Sequence, residues 1–273
     1  MPLSLILLIA AVQGVTEFLP VSSSGHLVLV PVLTDQPYQG QSIDVAAHVG
    51  TLIAVLVFLR HDVISIITAM LGFGDSRQMA SNRRLGLMIA AATLPVVIVG
   101  FMVNYAAWHW LTLVTTLAWA NLIFAGLLWA ADRFGRNVFK LTDIRWSAAL
   151  AIGLIQVCAL IPGASRSGVT MTAARFFGFD RLAAARFSLL LSLPAIAGAG
   201  LLKTIDLIGL GDMQLGLDAA LVALLSALFA WLAIRLMMSW LARASFAIFV
   251  VYRLALGGIL LLALRQGWIA SLI

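Results

Sequence analysis

Six long apolar segments constrain this chain more than any other feature of its sequence. A membrane-spanning helix needs about 20 mostly apolar residues, within a range of about 17 to 25. Five segments meet this length, and the sixth, the apolar stretch AAHVGTLIAVLVFL within residues 43–60, is a little short but adequate. Since 63% of the 273 residues are hydrophobic and only 10% are charged, the composition lies far from that of a soluble domain. We therefore predict an all-α integral membrane protein with six transmembrane helices, at residues 43–60, 84–104, 112–132, 182–203, 216–238 and 246–265.

Two further apolar regions are interrupted by polar turn residues. Residues 3–33 contain QGVTEFLPVSSSGH, and residues 146–177 contain PGASRSGVT. Each half of these regions is too short or too interrupted to cross a membrane. Non-helical backbone within the bilayer is tolerated only where protein or a water-filled cavity satisfies its polar groups. We predict that both regions are re-entrant helix-turn-helix hairpins.

The two interrupted regions resemble each other. Setting Gln13 against Gln156 also brings three further pairs into register, and TLPVVIVG in the first half has a counterpart in SLPAIAG in the second. This divides the chain into repeats at residues 1–140 and 141–273, each a hairpin followed by three spans. Because three is an odd number, the repeats are predicted to have inverted topology, as in many transporters. The further pairs are Ser22 with Ser165, Ser24 with Ser167, and Gly25 with Gly168.

The distribution of basic residues predicts the orientation. Lys and Arg outnumber Asp and Glu by 17 to 11, but most of the basic residues lie in loops, so we read the excess as topology and predict no nucleic-acid partner. Only Lys203 and Arg265 fall on the side of the termini, which the positive-inside rule assigns to the exterior. The first hairpin then enters from outside and the second from the cytoplasm. The basic residues on the predicted cytoplasmic side are Arg60, Arg77, Arg83, Arg84, Arg133, Arg136, Lys140, Arg145, Arg175, Arg181, Arg186, Arg235 and Arg243.

The two turns carry groups suited to a phosphate-like anion. Each turn is followed by a predicted helix, whose N-terminus presents unpaired N–H groups and a partial positive charge. Gly and Ser before each helix allow the backbone to curl around an oxygen. Arg166 adds a permanent charge on a planar fork that suits phosphate. We predict that the turns meet near the membrane midplane and bind such an anion.

The first turn also carries reactive side chains. A charged group at the bilayer centre costs about 2.5 kcal/mol or more, which favours a functional role for Glu17. Gln13 and Glu17 are four residues apart, hence on one helical face, and Pro20 is expected to end that helix. By chemistry alone, Glu17 can bind a divalent cation, Ser23 can act as a nucleophile, and His26 can transfer a proton.

The paired segments QGVTEFLPVSSSGH and PGASRSGVT resemble the two signature segments of the undecaprenyl pyrophosphate phosphatase family, the integral-membrane bacitracin-resistance proteins. The resemblance covers essentially the whole chain in length, hydropathy and order of segments. It implies hydrolysis of undecaprenyl diphosphate to undecaprenyl phosphate and inorganic phosphate in the bacterial cytoplasmic (inner) membrane. This reaction recycles the lipid carrier of peptidoglycan synthesis and so serves cell-wall biogenesis. It further implies a site opening on the outer face and a divalent cation, either Mg, Ca or Mn.

The resemblance also assigns roles to residues. It makes Glu17, Ser23, His26 and Arg166 catalytic, and it gives Glu17 and Gln13 to the metal. Where many relatives have a first glutamate, this chain has Gln13, which retains an oxygen ligand but drops a negative charge. That departure should weaken cation binding. The residues assigned to substrate binding are Gln13, Ser22, Ser24, Gly25, Gly163, Ser165, Ser167, Gly168 and Thr170.

Several alternatives stay open at this level. Either Ser23 or His26 can be the nucleophile, with the other assisting proton transfer. The competing function is a transporter, channel or lipid flippase for an anionic substrate, because inverted repeats with broken helices are a transport architecture. Asp44 and His48 fit an outer shell of the site as well as they fit a helix cap and a hydrogen-bonded histidine. Arg253 is expected to snorkel towards the cytoplasmic interface. The sequence is compatible with a homodimer and does not determine the oligomeric state.

Overall fold

A computed structural model describes residues 1–27, 29–34, 39–73, 75–106, 111, 113–209 and 213–269. Within these residues the chain forms twelve α-helices and no strand, apart from one isolated bridge between Phe139 and Phe179. Two short 3-10 helices, Leu141–Asp143 and Gln156–Leu160, flank α8. The helices are α1 Leu3–Thr16, α2 Ser23–Leu27, α3 Leu29–Thr34, α4 Gln41–Phe58, α5 Arg60–Met70, α6 Ser76–Ala106, α7 Val114–Phe134, α8 Trp146–Ile155, α9 Arg166–Phe176, α10 Arg181–Gly209, α11 Met213–Leu241 and α12 Ala247–Arg265.

Six of these helices are long and apolar enough to cross a membrane, which confirms the predicted all-α membrane architecture with six spans. They are α4, α6, α7, α10, α11 and α12. Residue 112, the first of the third predicted span, lies outside the described residues. Helix α6 begins at Ser76, well before the predicted start at residue 84, because a helix continues through polar residues beyond the apolar stretch that marks a span. Helix α5 was not predicted, since its residues are less apolar.

One long helix in each predicted repeat contains an interior proline, Pro95 in α6 and Pro194 in α10. A proline inside a helix removes one backbone hydrogen bond. Membrane helices tolerate this because neighbouring groups satisfy the freed carbonyl. Two positions before each proline, a hydroxyl bonds to its own helix: Thr93 Oγ1 donates to the Ile89 carbonyl at 2.8 Å, and Ser192 Oγ to the Leu189 carbonyl at 2.6 Å. These are not the carbonyls that the prolines free, which lie four residues before each proline.

Helix α11 packs closely against α1 and α4. At Gly50 a β-carbon would lie 2.0 Å from the Ala223 carbonyl oxygen, and at Gly14 it would lie 2.6 Å from Phe229 Cβ. Small residues at such contacts let membrane helices approach each other closely. This packing fixes α1, which leads into the first turn, relative to α4.

Helices α7, α8 and α10 surround α9, which follows the second turn, and α7 also packs along α12. At Gly163, where φ is +90°, a β-carbon would lie 2.2 Å from the Leu117 carbonyl oxygen of α7. Only glycine fits this position. The two interrupted regions thus form helix-turn-helix units within the described residues, while their re-entrant insertion and the inverted repeats at 1–140 and 141–273 stay predictions.

Arg175 was predicted to be one of the basic residues in the cytoplasmic loops, but its side chain lies inside the protein. Its side chain is 2% exposed and donates to the backbone carbonyls of Phe179, Gly135 and Asp132, with an ion pair to the Asp132 carboxylate at 3.5 Å. These bonds tie the end of α9 to the end of α7. Arg175 is therefore a buried structural group, although the sequence places it beside a turn.

Candidate active site

The two turns have the same backbone geometry at the serines that the repeat alignment pairs. Ser22 has φ +73° and Ser165 has φ +68°, and they are the non-glycine residues with positive φ in the described part of the chain. This left-handed conformation costs about 1–2 kcal/mol for a residue with a side chain. Each serine directly precedes a helix, and its hydroxyl lies near that of the serine two positions on. The oxygen–oxygen distances are 3.3 Å from Ser22 to Ser24 and 3.1 Å from Ser165 to Ser167.

The Glu17 carboxylate joins the two turns. Its Oε1 accepts a hydrogen bond from Arg166 Nη2 at 2.8 Å, so that a residue of the second turn forms an ion pair with one of the first. Its Oε2 accepts from Ser23 Oγ and from Gln13 Nε2, each at 2.8 Å. The Glu17 side chain is 6% exposed. The prediction that Glu17, Ser23, Gln13 and Arg166 share one site is therefore matched by direct contacts.

Arg166 retains hydrogen-bonding capacity. Its Nη1 is buried and has no partner among the described residues, while Nη2 binds Glu17. The helix behind it is capped, because Ser165 Oγ accepts from the Gly168 N–H at 3.2 Å. A buried, unpaired guanidinium nitrogen is costly unless a ligand binds it. Its position beside Glu17 is suited to an anionic oxygen.

His26 is held at both ring nitrogens. Nδ1 lies 2.7 Å from the Ser22 carbonyl oxygen, and since a carbonyl only accepts, Nδ1 carries the proton. In the neutral ring Nε2 is then an acceptor, and it receives a hydrogen bond from the Tyr252 hydroxyl of α12 at 2.5 Å. The two rings are stacked, with 10° between their planes and 5.5 Å between their centroids. Tyr252 therefore holds the position of the His26 ring, and the Ser22 carbonyl determines which ring nitrogen carries the proton.

His48 of α4 also faces the carboxylate. Its Nε2 lies 3.6 Å from Glu17 Oε2, and its Nδ1 donates to the Asp44 backbone carbonyl at 2.7 Å. Of the two readings left open for Asp44 and His48, the structure places His48 beside the site. The Asp44 carboxylate instead accepts from Gln39 Nε2 at 2.6 Å.

Arg253 of α12 does not snorkel, contrary to the expectation from sequence. Its side chain is fully buried, and its guanidinium group binds both turns from behind. Nη2 donates to the carbonyls of Gly163 at 2.8 Å and Ala164 at 2.9 Å, and Nη1 donates to the Pro20 carbonyl at 3.4 Å. Pro20 and Gly163 occupy matching positions when Gln13 is set against Gln156. One side chain thus connects equivalent carbonyls of the two turns.

The remaining predicted residues of the second turn are mostly packed within the protein. Ser167 Oγ donates to the Leu19 carbonyl of the first turn at 2.8 Å. Thr170 Oγ1 lies 2.7 Å from Ser188 Oγ of α10, and this threonine is 1% exposed. At Gly168 a β-carbon would lie 2.6 Å from Arg253 Nη1, so glycine makes room for the arginine. The predicted substrate-binding roles of these residues stay predictions.

In the first turn, Ser24 is exposed and Gly25 is buried. At Gly25 a β-carbon would lie 3.4 Å from Leu117 Cδ2 and 3.5 Å from Ser22 Oγ. Helix α1 ends at Thr16, before the predicted stop at Pro20. The Glu17 N–H still bonds to the Gln13 carbonyl at 3.0 Å, so the two side chains lie on one face as predicted.

Few protein groups around Glu17 can supply the oxygen ligands that a divalent cation requires. No cluster of three or more His, Cys, Asp or Glu side chains suited to a metal occurs in the part of the chain that the structure describes. Gln13 Oε1 is, however, buried without a partner there, and it belongs to the side chain that bonds Glu17. Mg²⁺ typically binds one or two carboxylates and completes its shell with substrate phosphate oxygens and water. The pair Gln13 and Glu17 fits that minimal donor set.

Sequence reasoning missed two residues of this site. Arg253 had a signal, since a charge inside an apolar span usually marks a functional or buried position. Tyr252 had none, because an aromatic residue in a membrane helix is unremarkable until its neighbour is known.

The chain is similar to known proteins over most of its length. Residues 6–259 match the family described as "Bacitracin resistance protein BacA". The chain is 45% identical to the undecaprenyl-diphosphatase of Alcanivorax borkumensis, over 93% of this chain and 96% of that protein. It is 43% identical to the undecaprenyl-diphosphatase of Erythrobacter litoralis, over 94% and 97%. It is 44% identical to that of Desulforudis audaxviator, over 94% and 96%.

The bridge made by Arg253 predicts a graded effect on stability. Arg253→Leu leaves three buried carbonyls without their donor, each costing about 1–3 kcal/mol. At about 2–4 °C per kcal/mol, we expect the midpoint of thermal unfolding in detergent to fall by at least about 6 °C. The midpoint of Arg253→Lys should lie between those of the wild type and Arg253→Leu, because a single ammonium group cannot replace the planar guanidinium group. Arg265→Leu, an exposed arginine on the same helix, is the control. Equal midpoints for Arg253→Leu and this control would contradict the bridge.

Proposed function

The chain belongs to the bacitracin resistance protein BacA family, and from this membership we propose that it is an undecaprenyl-diphosphatase. It hydrolyses undecaprenyl diphosphate to undecaprenyl phosphate and inorganic phosphate. The observation that supports this most directly is the buried Glu17 carboxylate, which binds Ser23 of one turn and Arg166 of the other. The lipid product is the carrier that peptidoglycan synthesis reuses. Neither the relatives' names nor these contacts favour the alternative of an anion transporter, channel or flippase.

Arg166 binds the diphosphate in this proposal. Its Nη1 has no partner among the described residues and its charge offsets the charge that develops on the phosphoryl oxygens. Preorganised donors of this kind supply much of the rate in phosphoryl transfer. The polyprenyl chain requires only an apolar surface open to lipid, and the described helices expose many apolar side chains, such as Leu94, Val97 and Phe101 of α6.

Ser23 is the nucleophile that the geometry supports. Its hydroxyl donates to Glu17 Oε2 at 2.8 Å, so the acceptor for its proton is already in contact, whereas His26 Nε2 can react only after the Tyr252 hydroxyl leaves it. Ser23 Oγ attacks the terminal phosphorus and passes its proton to Glu17. The bond from that phosphorus to the bridging oxygen breaks, and undecaprenyl phosphate leaves with the oxygen. Water then attacks the phosphoserine phosphorus and the bond from that phosphorus to Ser23 Oγ breaks, giving inorganic phosphate. Ser23 Oγ recovers its proton from Glu17.

His26 takes the proton of that water. Its Nε2 has the available lone pair in the tautomer set by the Ser22 carbonyl, once the Tyr252 hydroxyl gives up this nitrogen. The combination of a serine, a carboxylate and a histidine follows the general arrangement of nucleophile and proton-transfer groups.

A divalent cation would be held by Gln13 Oε1 and the Glu17 carboxylate. When bound, it would neutralise charge on the diphosphate. These two side chains supply few ligands, so substrate phosphate oxygens and water would complete the coordination of the cation.

The proposed orientation places both termini and the opening of the site on the outer side of the bacterial inner membrane. Its support is the excess of basic residues on the opposite side. Cleavage at the outer face is consistent with recycling of a lipid carrier released there.

Phosphate release from a polyprenyl diphosphate by the purified protein tests the function. Arg166→Ala should lower turnover by about 10²–10³-fold, as for other single donors to a transition state, while the protein remains folded in detergent. Arg243→Ala, an exposed arginine, is the control for loss of a surface charge. No phosphate release by the wild type, with or without added Mg²⁺, would refute the function, and near-normal turnover by Arg166→Ala would refute the role of that residue.

The identity of the nucleophile can be read from a trapped intermediate. With substrate labelled in the terminal phosphate, rapid quenching should yield labelled protein that resists acid and is cleaved by base, as expected for phosphoserine. Ser23→Ala should lose this label and His26→Ala should retain or accumulate it. Acid-labile label that disappears in His26→Ala would instead identify phosphohistidine.

Gln13→Glu tests the cation site. A second carboxylate next to Glu17 should strengthen divalent cation binding, so half-maximal activity should occur at a lower concentration of free Mg²⁺, by roughly 10-fold for one added charge contact of about 1.4 kcal/mol. Activity should be titrated in metal-buffered solution for this variant and the wild type. If Gln13→Glu loses activity equally at all cation concentrations, repulsion between the carboxylates dominates and the proposed ligands are wrong.

A further inference from the structure

A polar cleft lies apart from the two turns and shares no residue with them. It has a volume of about 240 Å³ and is formed where the starts of α5, α6 and α10 meet the 3-10 helix Leu141–Asp143. Leu85 and Leu141 contribute apolar surface above the fully buried Met88, and the polar side chains of the lining include Asn82 and Thr142.

The charges in this cleft do not balance. Arg186 and Asp62 pair with each other, through Nε to Oδ2 at 3.0 Å and Nη2 to Oδ1 at 2.7 Å. Arg84 also lines the cleft, but it forms no ion pair within the described ranges. Its Nη2 donates to the Ile144 carbonyl at 3.3 Å, which is long for such a bond. The lining therefore has a net positive charge located at Arg84.

The position of the cleft relates it to the lipid headgroups. Two of the candidate membrane spans, Arg77–Val103 and Arg181–Gly198, begin beside it, so that it lies at the end of the apolar zone. Basic pockets between membrane helices at this level bind phosphate-bearing headgroups. Leu85, which is half-buried, can contact the glycerol and the first carbons of a lipid while the phosphate reaches Arg84.

We propose that this cleft binds the phosphate group of an anionic phospholipid. Arg84 supplies the charge, and Asn82 and Thr142 supply hydrogen-bond donors. Typical small-molecule pockets have volumes of about 300–1,000 Å³, and the smaller volume here suits a headgroup whose acyl chains stay in the bilayer. The site does not depend on the proposed catalytic function.

The test measures binding of phosphatidylglycerol to delipidated protein in neutral detergent by native mass spectrometry. Arg84→Gln should weaken binding by roughly 5-fold, the contribution of one basic residue at a membrane surface. Arg83→Gln, which removes the adjacent exposed arginine outside the cleft lining, should change it less than about 2-fold on the same scale. Asp62→Asn should tighten binding, because it removes the carboxylate that pairs with Arg186 and so leaves the Arg186 charge available to the phosphate.

The opposite signs expected for Arg84→Gln and Asp62→Asn separate ligand binding from a structural role, which would weaken both. Unfolding midpoints in lipid-free detergent control for folding. Equal binding by Arg84→Gln and Arg83→Gln, or no binding by the wild type, would overturn the proposal. Titration with inorganic phosphate distinguishes the source of the ligand. Binding of free phosphate that needs Arg84, without binding of phosphatidylglycerol, would overturn the assignment to a lipid.

Discussion

A carboxylate buried in an apolar bundle must be paired, and the rest of the site depends on how Glu17 satisfies this requirement. Its partners come from both turns, because Ser23 belongs to the first and Arg166 to the second. Removal of one partner of a buried ion pair typically costs about 3–5 kcal/mol. Pairing of this one charge therefore brings the two turns together and sets the distance between the hydroxyl and the guanidinium group.

Helix α12 completes this arrangement from the other side. Arg253 binds the carbonyls of Pro20 and Gly163, while its neighbour Tyr252 holds His26. The buried Arg253 cation has only backbone oxygens as described partners, and these become available because the turns lack helical hydrogen bonds. A single turn of the last helix thus fixes both the backbone of the turns and the orientation of the histidine.

The two turns carry different reactive groups at equivalent positions. With Gln13 set against Gln156, Ser23 and Arg166 occupy the same position, and the counterpart of Glu17 is Leu160. Equivalent backbone geometry therefore presents a nucleophile in one turn and a cation in the other, with a single carboxylate between them. Gln156 illustrates the asymmetry: both its amide atoms are buried and have no partner among the described residues, whereas Gln13 bonds to Glu17.

By itself, the sequence determined the membrane architecture and the residues of the central cluster. Spans can be predicted from sequence because lipid imposes a minimum apolar length. Glu17, Ser23 and Arg166 can be predicted as site residues because polar groups in apolar segments are costly and so indicate a function. What only the tertiary structure decided is which distant groups support them. Arg253 and His48 lie in helices whose composition fits either a lipid-facing or an inward position, and the rotation of a helix about its axis is set by packing against its neighbours. The same holds for the cleft at Arg84, since its lining comes from segments that are remote in the chain and meet only when α5, α6 and α10 pack together.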